Sequence, residues 1–243
     1  MRRLVAAVLL AGCGAIAFAQ VPPRARPGGE GLAVAPVLLQ LAGSTRTVST
    51  MVSNPGKAPI TVQARVMAWT VAGGEDVYTP TRDIGLSPPL FRLAPGATQA
   101  VRLVSLIAPG SVERSYRLII DQLPIEDAPG QLQMPVRMVL PMFVAPGPGI
   151  RSEPQLNWSA RYDPAAGKLF LTASNTGTAH ARILDLGYEA DGAVVPVASG
   201  LAGYALPGMT REWGLAASHM PETITIVATA DRGKVRATIA VAH

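Results

Sequence analysis

Few residues in this chain are spaced for chemistry. The three histidines, His180, His219 and His243, stand far apart, and none has a second histidine or a carboxylate pair at metal-ligand spacing. His180 follows the turn Asn175-Thr176-Gly177 and His243 ends the sequence, so both read as solvated surface. Glu75-Asp76 and Glu126-Asp127 are adjacent carboxylates, but neighbours on a strand point to opposite faces, so solvated turns explain them better than acid/base pairs. The chain has no G-x-S-x-G, no phosphate-binding loop and no glycine fingerprint between a strand and a helix. It reads as a non-enzyme, with no catalytic, metal or cofactor residue assigned.

What remains is an apolar binding strand. In Gln131–Val144, Leu132, Met134, Val136, Met138, Leu140 and Met142 recur at every second position, so an extended strand carries all six on one face. The plain explanation is a strand half buried in its own sheet. Three methionines, however, suit a surface that must repack against imperfect partners. Pro135 and Pro141 lie an even number of residues apart, so both missing N–H groups fall on one side, as on an edge strand. A long apolar edge is an aggregation hazard unless it exists to be lent to another protein.

The rest of the chain must position that strand. Arg2 and Arg3, the apolar run Leu4–Phe18 and the small-x-small Ala17-Phe18-Ala19 predict a signal peptide over 1–19. The run is too short and too rich in Gly and Ala to favour a retained membrane anchor, and no later run spans a bilayer. Leu10-Ala11-Gly12-Cys13 also resembles a lipobox, which would tether a lipidated binding protein to a membrane. Cys13 is the only cysteine, so ordinary cleavage leaves no disulfide and the fold relies on packing. Without Arg2 and Arg3 the formal charge falls from +5 to about +3, spread without a basic block, which gives no reason to propose nucleic acid or an anionic membrane as partner.

With 22 Pro and 24 Gly, the chain is cut into pieces too short for most helices, and no segment sustains a 3.6-residue period. Alternating runs are Val34–Leu41, Thr47–Asn54, Ile60–Thr70, Gln99–Leu106, Ser115–Leu123 and Gln131–Val144. A second set is Leu156–Tyr162, Lys168–Ser174, Ala181–Glu189, Val194–Val197, Met209–Leu215, Thr223–Ala230 and Val235–Val241. Ala145-Pro146-Gly147-Pro148-Gly149 separates them as a linker. The expected fold is all-β, two immunoglobulin-like sandwiches over 33–146 and 150–243.

Several segments resemble, in order, the N-terminal domain of periplasmic pilus-assembly chaperones. They are Val34-Ala35-Pro36, Val52-Ser53-Asn54-Pro55-Gly56, Val62-Gln63-Ala64-Arg65-Val66, Ser87 through Gly96, Val101-Arg102-Leu103, and Glu113-Arg114-Ser115-Tyr116-Arg117-Leu118 through Leu123-Pro124. Gly74-Glu75-Asp76-Val77-Tyr78-Thr79-Pro80-Thr81 is closest to the archaic branch, which builds spore-coat-U-type pili. The second half matches loosely, through Ala230-Asp231-Arg232-Gly233. The resemblance implies a boomerang of two immunoglobulin-like domains that binds pilin subunits and hands them to an outer-membrane usher, without cofactor. A pilin lacks its last strand, and the chaperone's strand fills the groove, a case of strand addition to a sheet edge. By that register Leu132, Met134, Val136 and Met138 face the groove. A free chaperone can also cap its sticky edge by self-association.

The family anchors the pilin's terminal carboxylate with an Arg on the first strand and a Lys near the end of the last. Here Leu38 and Pro141 fall at those positions. If Ser115–Leu123 and Gln131–Val144 form a hairpin, Arg117 or, less directly, Arg114 can supply the guanidinium instead. The two lie three apart and face opposite ways, so only one can serve. Either could equally be a surface residue or an interdomain ion pair. Glu113 and Asp231 correspond to an interdomain ion network whose basic partner would fall near Ala145, which cannot serve. Arg92 and Arg102 match family positions but also suit exposed strand sites. The rival reading is an exported structural or adhesive protein, which gains nothing from exposing Met134 and Met138.

Overall fold

Alternating apolar residues punctuated by Pro and Gly turns give strands and no helix among the described residues. The structure is a computed structural model describing residues 31–42, 44–124, 134–190, 192–219 and 221–243. The expected leader at 1–19, Glu126-Asp127 and Leu132 lie outside the described residues. Both domains are immunoglobulin-like β domains.

The first contains β1 (Ala33–Ala35), β2 (Leu39–Leu41), β3 (Thr47–Ser53), β4 (Ile60–Ala72), β5 (Glu75–Pro80), β6 (Ile84–Ser87), β7 (Leu90–Leu93), β8 (Thr98–Ser105), β9 (Arg114–Leu123) and β10 (Arg137–Val144). One sheet runs β1-β3-β8-β6 and the other β2-β10-β9-β4-β5, with β7 also on β4. Their inner faces meet in one core built on Val52, Val62, Leu103, Leu118, Ile120 and Met142.

The second domain contains β11 (Leu156–Asp163), β12 (Lys168–Asn175), β13 (Ala181–Ala190), β14 (Ala193–Ala198), β15 (Gly203–Ala205), β16 (Thr210–Ala216), β17 (Thr223–Ala230) and β18 (Gly233–Ala242). They are ordered β14-β13-β17-β18-β11-β12-β16, with β15 on β13, around Leu169, Leu171, Ile183 and Ile226. The strict burial alternation along β12 is what a two-layer packing demands.

Two differences from the expected strands have physical causes. The run Val34–Leu41 is not one strand: β1 pairs antiparallel with β3, and β2 pairs parallel with β10 in the other sheet. Pro36, which has no N–H, falls at the break and cannot extend either ladder. Strands β5, β6, β7 and β15 were not visible in the sequence because they are short, polar or preceded by prolines.

The same polar device fixes a turn in each domain. Asn54 is buried; its Nδ2 donates to the Ala58 and Leu93 carbonyls and its Oδ1 accepts from Gly56 N–H. Asn175 repeats this with the Ala179 and Ala205 carbonyls, accepting from Gly177 and Gln155 N–H. Replacing Asn54 by Ala takes the donor from the buried Leu93 carbonyl and the more open Ala58 carbonyl, and the acceptor from Gly56 N–H. The expected loss is about 2–4 kcal/mol in urea unfolding, since each orphaned buried group costs about 1–3 kcal/mol. A loss below the scatter of surface variants would show that water replaces the amide.

Candidate functional site

The apolar strand emerges as β10, shorter than the expected run Gln131–Val144: Met134, Pro135 and Val136 lie ahead of it, tied to β9 through the Val136 carbonyl. The two faces and two edges do different things. The Val136 carbonyl accepts from Gln122 N–H of β9, so even-numbered residues turn their backbone groups to β9 and odd-numbered ones turn them away. On the far side only β2 pairs with it, and only over Met142–Val144. The expectation of an edge strand thus needs correcting: its last three residues are covered by β2. Among the described residues nothing pairs with the far side of Arg137–Leu140, and at Pro141 β2 takes only the carbonyl, from Leu39 N–H. Pro135 and Pro141 are both odd, so both missing N–H groups belong to this open side.

Side chains on the even face run out of their own core. Val144, Met142 and Leu140 are buried, Met138 and Val136 are half-buried against the same core, and Met134 is 81% exposed. One apolar stripe therefore starts inside the first domain and ends in solvent. At the exposed end the strand is held in place from the opposite face. Asp121 on β9 accepts from Arg65 at 2.6 Å and from Arg137 at 2.5 Å. Burial works against the Asp121 carboxylate, but the hydrogen bonds from Arg137 and Arg65 outweigh it and hold its carboxyl below the usual range.

The other end of β10 runs into the contact between domains. Phe143, on the odd face, stacks on His180 with ring centroids 3.6 Å apart. Trp69 of β4 and Tyr204 of β15 complete the cluster, edge to face at 5.2 Å. His180 is therefore not a surface residue, as its place after a turn suggested. Its backbone N–H and Nδ1 both meet Glu113 Oε1, at 2.9 and 2.7 Å, and Glu113 N–H donates to the Thr178 carbonyl. Nor is Asp76 a solvated turn residue: it lies on β5 and accepts from Arg211 of β16 at 2.7 Å. Val71 N–H donates to the Met209 sulfur across the same boundary.

The sequence candidates distribute themselves around this cluster. Arg117 lies across the ladder from Pro141, buried in the cluster with its guanidinium carbon 3.5 Å from the Trp69 ring centre. Its contact to Asp76 is long, 3.5 Å, and its buried Nε has no partner among the described residues. Arg114 is exposed and sits on the opposite face, beside Gly110. Leu38 packs on the aromatic cluster. Glu113 does bridge the domains, to His180 instead of a cation near Ala145. Asp231 instead bonds within the second domain, with Arg182. Arg92 and Arg102 are exposed. Sequence reasoning missed Trp69, Asp76, His180, Tyr204 and Arg211, because an alternation shows which face a residue is on and not what that face meets.

Tyr116 closes the first core under Arg114. Its hydroxyl donates to Asp83 at 2.8 Å, and burial together with that carboxylate pushes its pKa well up. Among the described residues no group of three His, Cys, Asp or Glu is arranged to hold a metal.

The described geometry has counterparts. Residues 31–148 match the family model for pili and flagellar-assembly chaperone, PapD N-terminal domain. The fold is similar to a chain of the CsuC–CsuE chaperone–tip adhesion subunit pre-assembly complex from archaic chaperone–usher Csu pili of Acinetobacter baumannii. The identity is 25%, covering 87% of this chain and 99% of that one, with a TM-score of 0.67. It is also similar to a chain of the Salmonella enterica SafA pilin–SafB chaperone complex, at 19% identity over 88% of this chain and 97% of that one, TM-score 0.57. A third likeness is to the E. coli chaperone DraB, at 17% identity over 85% and 95%, TM-score 0.55. No curated protein sequence matches the chain.

Proposed function

We propose that this chain, whose residues 31–148 match the pilus-assembly chaperones of the PapD type, binds pilin subunits in the periplasm by lending them β10, then delivers them to an outer-membrane usher. The observation that carries this reading is the apolar stripe running from the core at Met142 to solvent at Met134 beside an unpaired strand edge. A structural module would bury or remove such a stripe. A subunit missing a strand would cover it: Leu132, Met134, Val136 and Met138 fill the subunit's groove while the open edge pairs with its backbone. Full burial of such a side chain is worth about 1.5–3 kcal/mol, and ordering and association costs offset much of that. Export by the segment 1–19 and the absence of a required cofactor belong to the same reading.

Arg117 is the proposed anchor for the subunit's terminal carboxylate. It stands across from Pro141, where the usual cation is replaced, and it keeps donors that Asp76 does not satisfy. Arg114 lies on the wrong face for the same cleft. Glu113 with His180 holds the domains in register, and Asp231 supports the second domain from within.

Native mass spectrometry of the tagged protein purified from the periplasm of its pilus-expressing host tests this. The expected species is a one-to-one complex with a small pilin-like protein. Arg117→Met should lower its occupancy about tenfold or more, since a hydrogen bond to a charged group is worth about 1.5–3 kcal/mol. A clean monomer in wild type would sink the chaperone reading. An unchanged complex in Arg117→Met would remove the anchor assignment alone.

A further inference from the structure

A strand that is open enough to lend is also open to a second copy of itself, and the positions of Pro135 and Pro141 bear on which partner wins. A closed dimer built on this edge requires a two-fold axis and therefore antiparallel strands. The register using the whole described edge places the axis at Met138. There Arg137 faces Val139 of the other copy, and Pro135 faces Pro141, at both ends of the pairing. Residues facing each other across such an edge normally exchange two N–H···O bonds. Four residues per strand face outward from Pro135 to Pro141, but the parallel pairing of Leu39 with Met142 commits the Pro141 carbonyl to Leu39 N–H, so a proline-free edge would make six bonds with its copy; the two Pro–Pro pairs make none, which leaves four.

A strand of different sequence keeps more. It brings its own N–H groups to the carbonyls of Pro135, Arg137 and Val139 and its own carbonyls to the Arg137 and Val139 N–H groups, so five bonds survive, whichever direction it runs. Beyond Pro141 the edge is closed by β2, whose Leu39–Leu41 pair with Met142–Val144. The N–H donors left for any partner are those of Arg137 and Val139. Arg137 is held in place by Asp121, so its backbone is ready in strand form. The even face adds a further cost to self-pairing, because the axis brings Met138 onto Met138 and gives each exposed Met134 only the already buried Met142 of the other copy to face.

We infer that Pro135 and Pro141 are a matched guard that bars the lent edge from pairing with a second copy of this chain and reserves it for a foreign strand pairing with Arg137 and Val139. The inference rests on the chaperone reading for the identity of that foreign strand, but the guard itself is testable on the purified protein alone. In sedimentation velocity over a concentration series, wild type should remain monomeric. The double variant Pro135→Val, Pro141→Thr should dimerise at least tenfold more tightly, with slowed hydrogen exchange at the Arg137 and Val139 amides. Should the variant fail to fold, the wild type still decides the matter. Its free Arg137 and Val139 amides should exchange as unpaired groups and become protected in the subunit complex. A wild-type dimer with these two amides protected, or a folded double variant as monomeric as wild type, would overturn the guard. A double variant that dimerises while neither protein captures a subunit would support the guard and remove the chaperone reading.

Discussion

Met134→Asp should leave the purified protein's unfolding curve where it is and abolish its capture of pilin subunits. Met134 is 81% exposed, and an exposed substitution away from structural features changes stability by about 0.5 kcal/mol at most. In the complex the same side chain would enter an apolar groove. An unpaired carboxylate there must be desolvated or protonated, at a cost of several kcal/mol. About 3 kcal/mol already means a hundredfold weaker complex. Met142→Asp supplies the contrast, because Met142 is fully buried in the first domain's own core. That variant should fail to fold stably, with or without a client. The pair separates the lent end of the stripe from its rooted end, with native mass spectrometry for capture and thermal unfolding for stability. Wild-type capture by Met134→Asp would mean that the groove does not reach Met134.

How far the sequence could be read depended on which interactions are local. Thr223–Ala230 is legible because alternation and β-branching occur within the strand itself, and β17 has those same bounds. The stripe of β10 is legible for the same reason. Its partial cover by β2 is not, since the parallel pairing of Leu39–Leu41 with Met142–Val144 joins segments about a hundred residues apart. His180 shows the limit most clearly. Beside Asn175-Thr176-Gly177 it looks solvated, yet Glu113 and Phe143, from other strands, enclose it. Asp76 misleads in the same way, because Arg211 lies 135 residues away. Arg117 was placed near the cleft by the hairpin argument, but the aromatic ring beneath it was beyond reach of any periodicity. The parity that tells Arg117 from Arg114 is a local property, and it carried over directly.

Trp69→Ala should be the most damaging single change at the contact between domains, costing about 3–5 kcal/mol, the usual range for deleting a buried Trp. Trp69 is 2% exposed and touches members of both halves: Phe143 and Arg117 from the first, Tyr204 from the second. Removing its ring leaves a cavity bounded by these three, and it withdraws the surface on which the Arg117 guanidinium rests. Glu113–His180, buried beside that cluster, and the more open Asp76–Arg211 remain, but polar pairs stabilise less once water reaches them through the cavity. Calorimetry should therefore show more than a lower transition. The two domains, each with its own core, should begin to unfold separately, the first at lower temperature than the second. Leu169→Ala, deep in the second core, is the control: it should lower stability by a comparable amount without freeing Arg117. Subunit capture should then fall further in Trp69→Ala than in Leu169→Ala, because only the former disorders the proposed anchor. Equal capture by both variants would place the anchor elsewhere and leave Trp69 a purely structural residue.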